Sequence, residues 1–363
     1  MKQSERQPAA PHAASASTAK SRDLEDYAVP RDPLFRDPVL PHAVQVSVLG
    51  IRVRLRTNDR RVLGMFQAAF GTGIYVDAVS DDAGHVLERR RSDDALQLNV
   101  QVVVYDGATH DSGLEASYHI CPDPVRVLIH GNGGMAISDP LRREALIYAT
   151  DGLVRNETHF RNNFLEAATL ALVTHFDRQP IHAAAIMHDG RVLLLIGPSG
   201  AGKSTLSYIA RAAGLGVLSE DIAWMQLTPK PVIWGRPQAI HLLPGSENHF
   251  PELRPKPASR RPNGKQKITV DIEQLGSAGQ SVANEVVACL LQPGRGDARV
   301  ARVERDELYV ALTRDAAAGF DRYPERRAEC AHVLAARGGW SLTLSNNPRD
   351  ALPLLKELLT VAT

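Results

Sequence analysis

Cysteine, lysine and aromatic residues are all scarce in this chain of 363 residues. Its three cysteines, Cys121, Cys289 and Cys330, lie far apart and form no CxxC pair. That spacing argues against a disulfide scaffold or a zinc ribbon and favours a reducing compartment. Aromatic residues make up 5% of the chain, so the cores must consist mainly of Leu, Val, Ile and Ala. Only eight residues are lysines, so each lysine near a predicted site is informative.

An excess of either charge is also absent. The chain has 42 Lys and Arg residues against 41 Asp and Glu residues, for a formal net charge of +1. It therefore lacks the global basic field that would hold nucleic acid, and we predict no nucleic-acid partner. No apolar run reaches the ~18 residues that a membrane span needs, and the N-terminus lacks the apolar stretch of a signal peptide. We expect no membrane partner and a cytoplasmic location.

The composition changes along the chain and predicts a tail and two domains. Residues 1–40 are rich in Ala, Ser, Pro and charge, which is typical of a disordered tail. Residues 41–155 predict a small α+β domain, mostly antiparallel, with a hairpin around Leu49-Gly50 and a helix that stops at Gly71. Residues 156–363 predict an α/β domain that opens with a helix over 157–177. Residues 229–265 are rich in Pro, Gly and Arg and predict loops over a site, whereas Arg89–Arg91 predicts a solvated turn.

The sharpest motif in the chain fits G-x-x-x-x-G-K-[ST] without a gap. It consists of Gly197, Pro198, Ser199, Gly200, Ala201, Gly202, Lys203, Ser204 and Thr205. The glycines let consecutive backbone N–H groups point at phosphate oxygens, and the helix that follows offers the positive end of its dipole. The lysine of such a loop reaches the β- and γ-phosphates, and the Ser204 hydroxyl ligates Mg²⁺. An apolar strand precedes the motif, so we predict ATP and Mg²⁺ as cofactors.

Two carboxylates end the next predicted strand. Glu220 and Asp221 follow Lys203 by 17 and 18 residues. We expect their strand to neighbour the strand before the loop in a parallel sheet, which would place both carboxylates beside the phosphates. One would accept the proton of a substrate hydroxyl as general base, and the other would bind the metal or its water. We assign the metal to Ser204 and Asp221 and leave open which carboxylate is the base.

A histidine precedes the loop by 15 residues. His182 lies in a predicted strand, 181–188, that a hairpin at Asp189-Gly190 joins to the strand before the loop. An imidazole near the γ-phosphate would orient it or stabilise the transferred charge. The alternative interpretation, on spacing alone, is a histidine satisfied within the core.

Other basic residues are weaker candidates. Arg236, Lys265 and Lys267 are candidate phosphate or substrate contacts, because phosphoryl transfer needs positive charge around the equatorial oxygens. Ordinary exposed charge is the alternative for each. Four further histidines show no metal-ligand spacing and are assigned no role: His110, His119, His241 and His249.

Together, His182, the loop from Gly197 to Ser204 and the pair Glu220-Asp221 resemble the signature of the bacterial HPr kinase/phosphorylase family. The resemblance covers roughly residues 157–360. It implies an α/β fold with a P-loop core of the HPr kinase and phosphoenolpyruvate carboxykinase type. By position, Glu220 matches the acidic residue that the family uses as proton acceptor, and Asp221 matches its neighbour. The family forms hexamers, so a homo-oligomer is a further expectation.

Two departures bear on the substrate. Glu220 stands where the family has Asp, which lengthens the reach by one methylene. The segment by which HPr kinases engage HPr has no clear counterpart, and the chain has Trp234-Gly235-Arg236-Pro237 and Asn263-Gly264-Lys265-Gln266-Lys267 instead. The chain looks more like divergent relatives that phosphorylate a serine of a precursor peptide, including those of lasso-peptide pathways, or free serine. Their small N-terminal domain is similar to the one predicted here.

The predicted function is therefore transfer of the γ-phosphoryl group of ATP to a serine-type hydroxyl of a peptide or protein, with Lys203, Glu220, Asp221 and His182 as catalytic residues. Two alternatives stay open. One is the same chemistry on a small hydroxyl compound such as free serine or a sugar. The other is a nucleotide-binding regulator with little catalysis.

Overall fold

The structure is a computed structural model, and it describes residues 38–71, 74–75, 96–107, 116–122, 125–236, 238–260, 265–272, 282–283, 285–314 and 322–360. Nearly all of the predicted tail lies outside the described residues. So do Arg89–Arg91, His110, Pro237 and Asn263-Gly264. Residues 39–363 form one compact unit, so a domain boundary after residue 155 stays a prediction.

The first part of the chain builds an eight-stranded sheet. Its strands are β1 (His42–Val48), β2 (Ile51–Thr57), β3 (Ile74–Tyr75), β4 (Gln97–Tyr105), β5 (Ser117–Pro122), β6 (Val125–Gly131), β7 (Gly134–Asp139) and β8 (Glu144–Thr150). They lie in the order β3-β1-β2-β4-β8-β7-β6-β5. β4 is parallel to both of its neighbours, and the other pairs are antiparallel, as the sequence predicts. The predicted hairpin at Leu49-Gly50 joins β1 to β2.

Helices cover one face of this sheet. They are α1 (Arg60–Phe70), α2 (Asp151–Arg155), α3 (Glu157–Phe160) and α4 (Ala167–His175), with a π-helical turn at Arg161–Glu166 between the last two. Asp59 caps α1 by accepting from the Arg61 N–H, and Gly71, at φ 97°, ends it. The predicted helix over 157–177 is observed as α3, the π turn and α4. Apolar side chains of these helices and of the sheet form one core.

The rest of the chain adds thirteen described strands and four α-helices. The strands are β9 (Gln179–Ile181), β10 (Ala183–His188), β11 (Arg191–Ile196), β12 (Gly216–Ser219), β13 (Ala223–Gln226), β14 (Val232–Trp234), β15 (Ala239–Leu242), β16 (Ala258–Arg260), β17 (Gln266–Asp271), β18 (Val282–Ala283), β19 (Glu285–Gln292), β20 (Arg299–Val303) and β21 (Gly339–Thr343). The helices are α5 (Lys203–Ala212), α6 (Arg305–Arg314), α7 (Pro324–Ala335) and α8 (Ala351–Thr360). None of the helices in the described ranges is long and apolar enough to cross a membrane.

A six-stranded sheet in the order β12-β10-β11-β19-β21-β20 forms the centre of this part. Leu193 and Leu195 of β11 pack with α5 and α8, whereas Val192 and Leu194 pack with α6 and α7. Because both faces of β11 are covered, its sequence is a continuous apolar run and does not alternate. The mixed α/β class of the sequence analysis agrees with this architecture.

The strand order corrects one expectation. β12 pairs with β10 and does not touch β11, because the tight turn at Asp189-Gly190 keeps β10 antiparallel to β11 on that side. The carboxylates that follow β12 are therefore separated from the phosphate loop by one intervening strand. β12 still runs in the same direction as β11, so both strands end at the same edge of the sheet.

Two small sheets complete the fold. One has the order β18-β14-β13-β9 and the other β15-β17-β16. The prediction of loops over 229–265 is wrong in part, because β14, β15 and β16 lie within it. Ile240 of β15 and Ile268 of β17 are buried in the same core as Leu206 of α5. The three-stranded sheet thus packs on the helix that follows the phosphate loop.

Candidate active site

The predicted phosphate loop connects β11 to α5 and has an open, glycine-dependent conformation. Gly200 and Gly202 have φ of 90° and 99°, in the left-handed region that glycine adopts without strain. The Lys203 ammonium donates to the carbonyl oxygens of Gly197 at 2.6 Å and Pro198 at 3.3 Å, so it lies over the loop. The first backbone N–H groups of α5 have no acceptor within the helix. Together these groups form a suitable anion-binding site, with N–H donors, a cation and the positive end of a helix.

His182 lies where the predicted strand 181–188 is broken into β9 and β10. Ala183 pairs with Ile196, the last residue of β11, so His182 and Gly197 leave the sheet side by side. The His182 Nε2 lies 3.1 Å from Oδ1 of Asp221. The break therefore turns this histidine to the end of the sheet where the loop and the carboxylates meet.

The turn that carries the two carboxylates is held by Ser219, whose hydroxyl donates to the Ile222 carbonyl at 2.5 Å and accepts from the Asp221 N–H at 3.3 Å. The hydrogen bond from His182 lowers the pKa of Asp221 most. The positive charges of His182, Lys203 and Lys267 lower it further, against burial, which raises it. The Asp221 side chain is 61% exposed, so water screens these interactions. The contribution of Lys203 shows that loop and turn are electrostatic neighbours although β10 lies between their strands.

Glu220 has a different environment from Asp221. Its Oε1 lies 2.6 Å from Nδ1 of His241, and the two side chains are only 14% and 19% exposed. Its Oε2 is buried and has no hydrogen-bond partner among the described residues. The carboxylate is therefore held in place by one oxygen, while the other is buried without a described partner, which costs free energy.

His241 was assigned no role from the sequence, yet it is the residue that contacts Glu220. Its backbone carbonyl accepts a hydrogen bond from the Lys267 ammonium at 3.2 Å. Both residues reach the turn because β15 and β17 pair in the three-stranded sheet. The only feature of the local sequence that could have indicated a role for His241 is its position between Ile240 and Leu242. Both neighbours are buried, so His241 lies on the polar side of a strand.

The other basic candidates divide between two places. The Lys265 ammonium donates to the Ser199 hydroxyl at 3.0 Å, so Lys265 and Lys267 both lie at the loop or the turn. Arg236 does not. It forms an ion pair with Glu166, lies 5.1 Å from the centre of the Phe70 ring and is 12% exposed at its side chain. Arg236 therefore has a structural role beside the core of the eight-stranded sheet, where it pairs with Glu166. Its prediction as a phosphate contact is wrong.

The residues present fit a nucleotide and a divalent cation. A Cβ atom at Gly197 would lie 2.9 Å from the Cβ of Ala201, and Gly202 has a φ of 99°, in the left-handed region, so both positions favour glycine. Ser204 lies half-buried in the first turn of α5. Among the described residues, no group of three or more His, Cys, Asp and Glu side chains forms a ready-made metal site. A metal between Ser204 and Asp221 would therefore need phosphate oxygens as further ligands, which is how Mg²⁺ is commonly held.

Comparisons with known proteins add a distant likeness. The HPr(Ser) kinase/phosphatase from Coxiella burnetii matches at 13% sequence identity, over 50% of this chain and 93% of that one, with a TM-score of 0.24. No family model and no curated protein matches the chain. A likeness of this size carries no argument about the activity, so the functional proposal rests on the loop, the carboxylate turn and the two histidines.

Proposed function

We propose that this protein is an ATP- and Mg²⁺-dependent kinase that phosphorylates a serine-type hydroxyl of a peptide or protein. The observation that carries the proposal is the meeting of three elements at one edge of the six-stranded sheet. The loop supplies Lys203, the turn supplies Glu220 and Asp221, and the strand break supplies His182 in contact with Asp221. A cation, carboxylates and an imidazole around a phosphate loop are the groups that phosphoryl transfer uses.

Each residue has a distinct task in this proposal. Bound MgATP supplies the γ-phosphoryl group. Lys203 and the loop N–H groups would neutralise phosphate charge, while Ser204 and Asp221 would hold the metal, which would supply further positive charge to the phosphates. Glu220 accepts the proton of the acceptor hydroxyl, and its contact with His241 holds the carboxylate in place.

His182 holds Asp221 and stabilises the charge of the transferred group. Lys265 lies over the loop at Ser199, where it adds positive charge. Glu220 is favoured over Asp221 as the base because it is the more buried and more rigidly held of the two.

The test is incubation with ATP and Mg²⁺ in the presence of a serine-containing peptide or of free serine, read by mass spectrometry. A gain of ~80 Da on the peptide, the mass of one phosphoryl group, is the expected result. Phosphoserine as the sole product would move the function to the small-molecule alternative.

Two carboxylate variants test whether catalysis is the function. Glu220→Gln removes the proton acceptor and should lower kcat by about 10²- to 10⁴-fold while ATP binding persists. Asp221→Asn should weaken the dependence on Mg²⁺ concentration. Asp189→Asn, on the exposed turn at the opposite end of β10, is the matched control and should leave kcat unchanged. If both site variants keep full activity, the protein is not a kinase that works through this turn.

A further inference from the structure

A row of arginines follows β2 on the face of the eight-stranded sheet that the helices leave uncovered. Arg52, Arg54 and Arg56 alternate along the strand with buried Ile51, Val53 and Leu55. Since alternate residues of a strand share a face, the three guanidinium groups point to the same side. Their spacing is about 6.6 Å, twice the rise per residue of a strand. We call these three residues the β2 arginine row.

The β2 arginine row has no acidic partner among the described residues. The Nε atoms of Arg54 and Arg56 are buried and have no hydrogen-bond partner, and the ion pairs of the described residues include none of the three. The neighbouring positions on β1 and β4 carry no charge: Ala43, Gln45, Ser47, Gln97, Asn99 and Gln101. Unpaired charge held half-buried costs free energy unless a ligand of opposite charge meets it.

A cavity of about 970 Å³ adjoins one end of the row, and Arg52 lines it. Arg178 and Arg326 line it as well. The only carboxylate among its described lining residues is Asp177, which is already used because it accepts from the backbone N–H groups of Leu227 and Thr228. The cavity therefore has an excess of positive charge.

Arg178 is the most buried of these cations, with 8% exposure. Its Nε donates to the Leu49 carbonyl at 2.7 Å and its Nη1 to the Asp177 carbonyl at 2.9 Å, so no carboxylate neutralises it through a hydrogen bond. Burial lowers the pKa of Arg178 to about 10, which still leaves it protonated at neutral pH. A volume near 1,000 Å³ is large enough for a drug-sized molecule or a few residues of peptide.

We propose that the β2 arginine row and the adjoining cavity bind an acidic polypeptide segment in extended conformation. Carboxylates at every second position of such a segment repeat at the same ~6.6 Å as the guanidinium groups, so each meets one arginine. The bound segment continues past Arg52 into the cavity. A single-stranded nucleic acid fits less well, because the described neighbours of the row on β1 and β4 are amides, a hydroxyl and the methyl group of Ala43, and they offer no aromatic surface for bases.

Binding is tested on the full-length protein without nucleotide, by fluorescence anisotropy. The probe is a labelled peptide of alternating Glu and Thr. Its matched control has the same composition, with Glu and Thr arranged in pairs. We expect the alternating peptide to bind more tightly, and Arg54→Gln to weaken it about three- to tenfold with an unchanged thermal melting temperature. Arg142→Gln, an exposed arginine of the β7–β8 turn, should leave binding unchanged.

Four outcomes overturn the proposal: no binding by the wild-type protein, equal binding of the two peptides, no effect of Arg54→Gln, or tighter binding of a labelled oligothymidylate than of the peptide. The site is separate from the phosphate loop, so Lys203→Ala should bind the alternating peptide as the wild type does. Failure of the kinase proposal and failure of this one are therefore distinguishable.

Discussion

The eight-stranded and the six-stranded sheets place their polar residues in different ways. In the eight-stranded sheet, strands such as β2 alternate, with apolar residues in one core and arginines on the opposite face. In the six-stranded sheet, residues of β10 and β11 are divided between two cores, one on each face. A sheet covered on both faces has no face on which polar groups can lie, so its chemistry is confined to the edge where strands end.

The difference separates two kinds of site. At the edge of the six-stranded sheet, polar groups are few, close together and fixed by short contacts such as Glu220 to His241. On the opposite face of the eight-stranded sheet from the helices, cations are spread along β2 without an acidic partner among the described residues. The first arrangement suits catalysis on one bond, and the second suits recognition of an extended chain.

Truncation within the doubly covered sheet should have the largest effect. Leu194→Ala in β11 removes a fully buried side chain and should lower the free energy of unfolding by about 2–5 kcal/mol. The open-face variant Arg54→Gln should change it by less than about 0.5 kcal/mol. Urea unfolding of both variants measures the contrast. Equal losses would show that the arginine face is packed as a core and would remove the distinction between the sheets.

The next largest effect concerns the loop at the sheet edge. Lys203→Ala removes the ammonium that lies over Gly197 and should weaken ATP binding by about 100-fold or more, because it loses charge-assisted contacts to phosphate. Lys230→Ala, an exposed lysine between β13 and β14, is the control. Calorimetric titration with MgATP measures both. Normal affinity in Lys203→Ala would refute the assignment of the phosphate loop.

A smaller effect is expected for His241, which we regard as a positioning residue for Glu220. The amide nitrogen of Asn occupies nearly the place of His Nδ1, whereas that of Gln lies nearer the place of Nε2. His241→Asn should retain most of the wild-type kcat, and His241→Gln should lose about tenfold in kcat with little change in the KM for ATP. Steady-state kinetics of the two variants measure kcat and the KM for ATP. Equal losses in both would indicate a general packing role and not the Nδ1 contact.

The smallest effect concerns pH. The pKa of Asp221 is lowered in the folded protein, so its contribution to stability is present above the ordinary pKa of the group and is lost as the pH falls through the lowered value. The melting temperature of Asp221→Asn should therefore fall less steeply than that of the wild type as the pH is lowered from about 5 to about 3. Arg54→Gln, which removes no ion pair among the described residues, should leave that dependence unchanged. An identical dependence of the melting temperature on pH in the wild type and in Asp221→Asn would contradict the contact with His182.

Much of the local structure could be predicted from sequence because its causes are local. The hairpin at Leu49-Gly50, the helix stop at Gly71 and the strand–loop–helix around Lys203 depend on residues close together in the chain. The short strands β14 to β16 could not be predicted, since their Pro- and Gly-rich surroundings resemble loops and tertiary contacts stabilise them: Ile233 of β14 packs in one core, and Ile240 of β15 packs with α5 in another.

The strand order and the partners of the site residues also escaped sequence reasoning. Nothing in the spacing of Glu220 and His241 shows that they meet, because their contact depends on where the three-stranded sheet packs. Arg236 lies five residues before His241, yet it points into the other core and binds Glu166. Residues that are near in sequence therefore lie at different sites in the folded protein.

The sequence by itself determined which groups are present for the proposed chemistry: the glycines and Lys203 of the predicted phosphate loop, the two carboxylates and His182. It could do so because a phosphate loop is a local conformation, set by the φ values that glycine allows and by the start of a helix. Only the tertiary structure decided which carboxylate is the more buried, which histidine contacts it and which arginines have no acidic partner among the described residues. Those properties depend on burial and on contacts between strands distant in the chain, and such contacts form only when the sheets pack together.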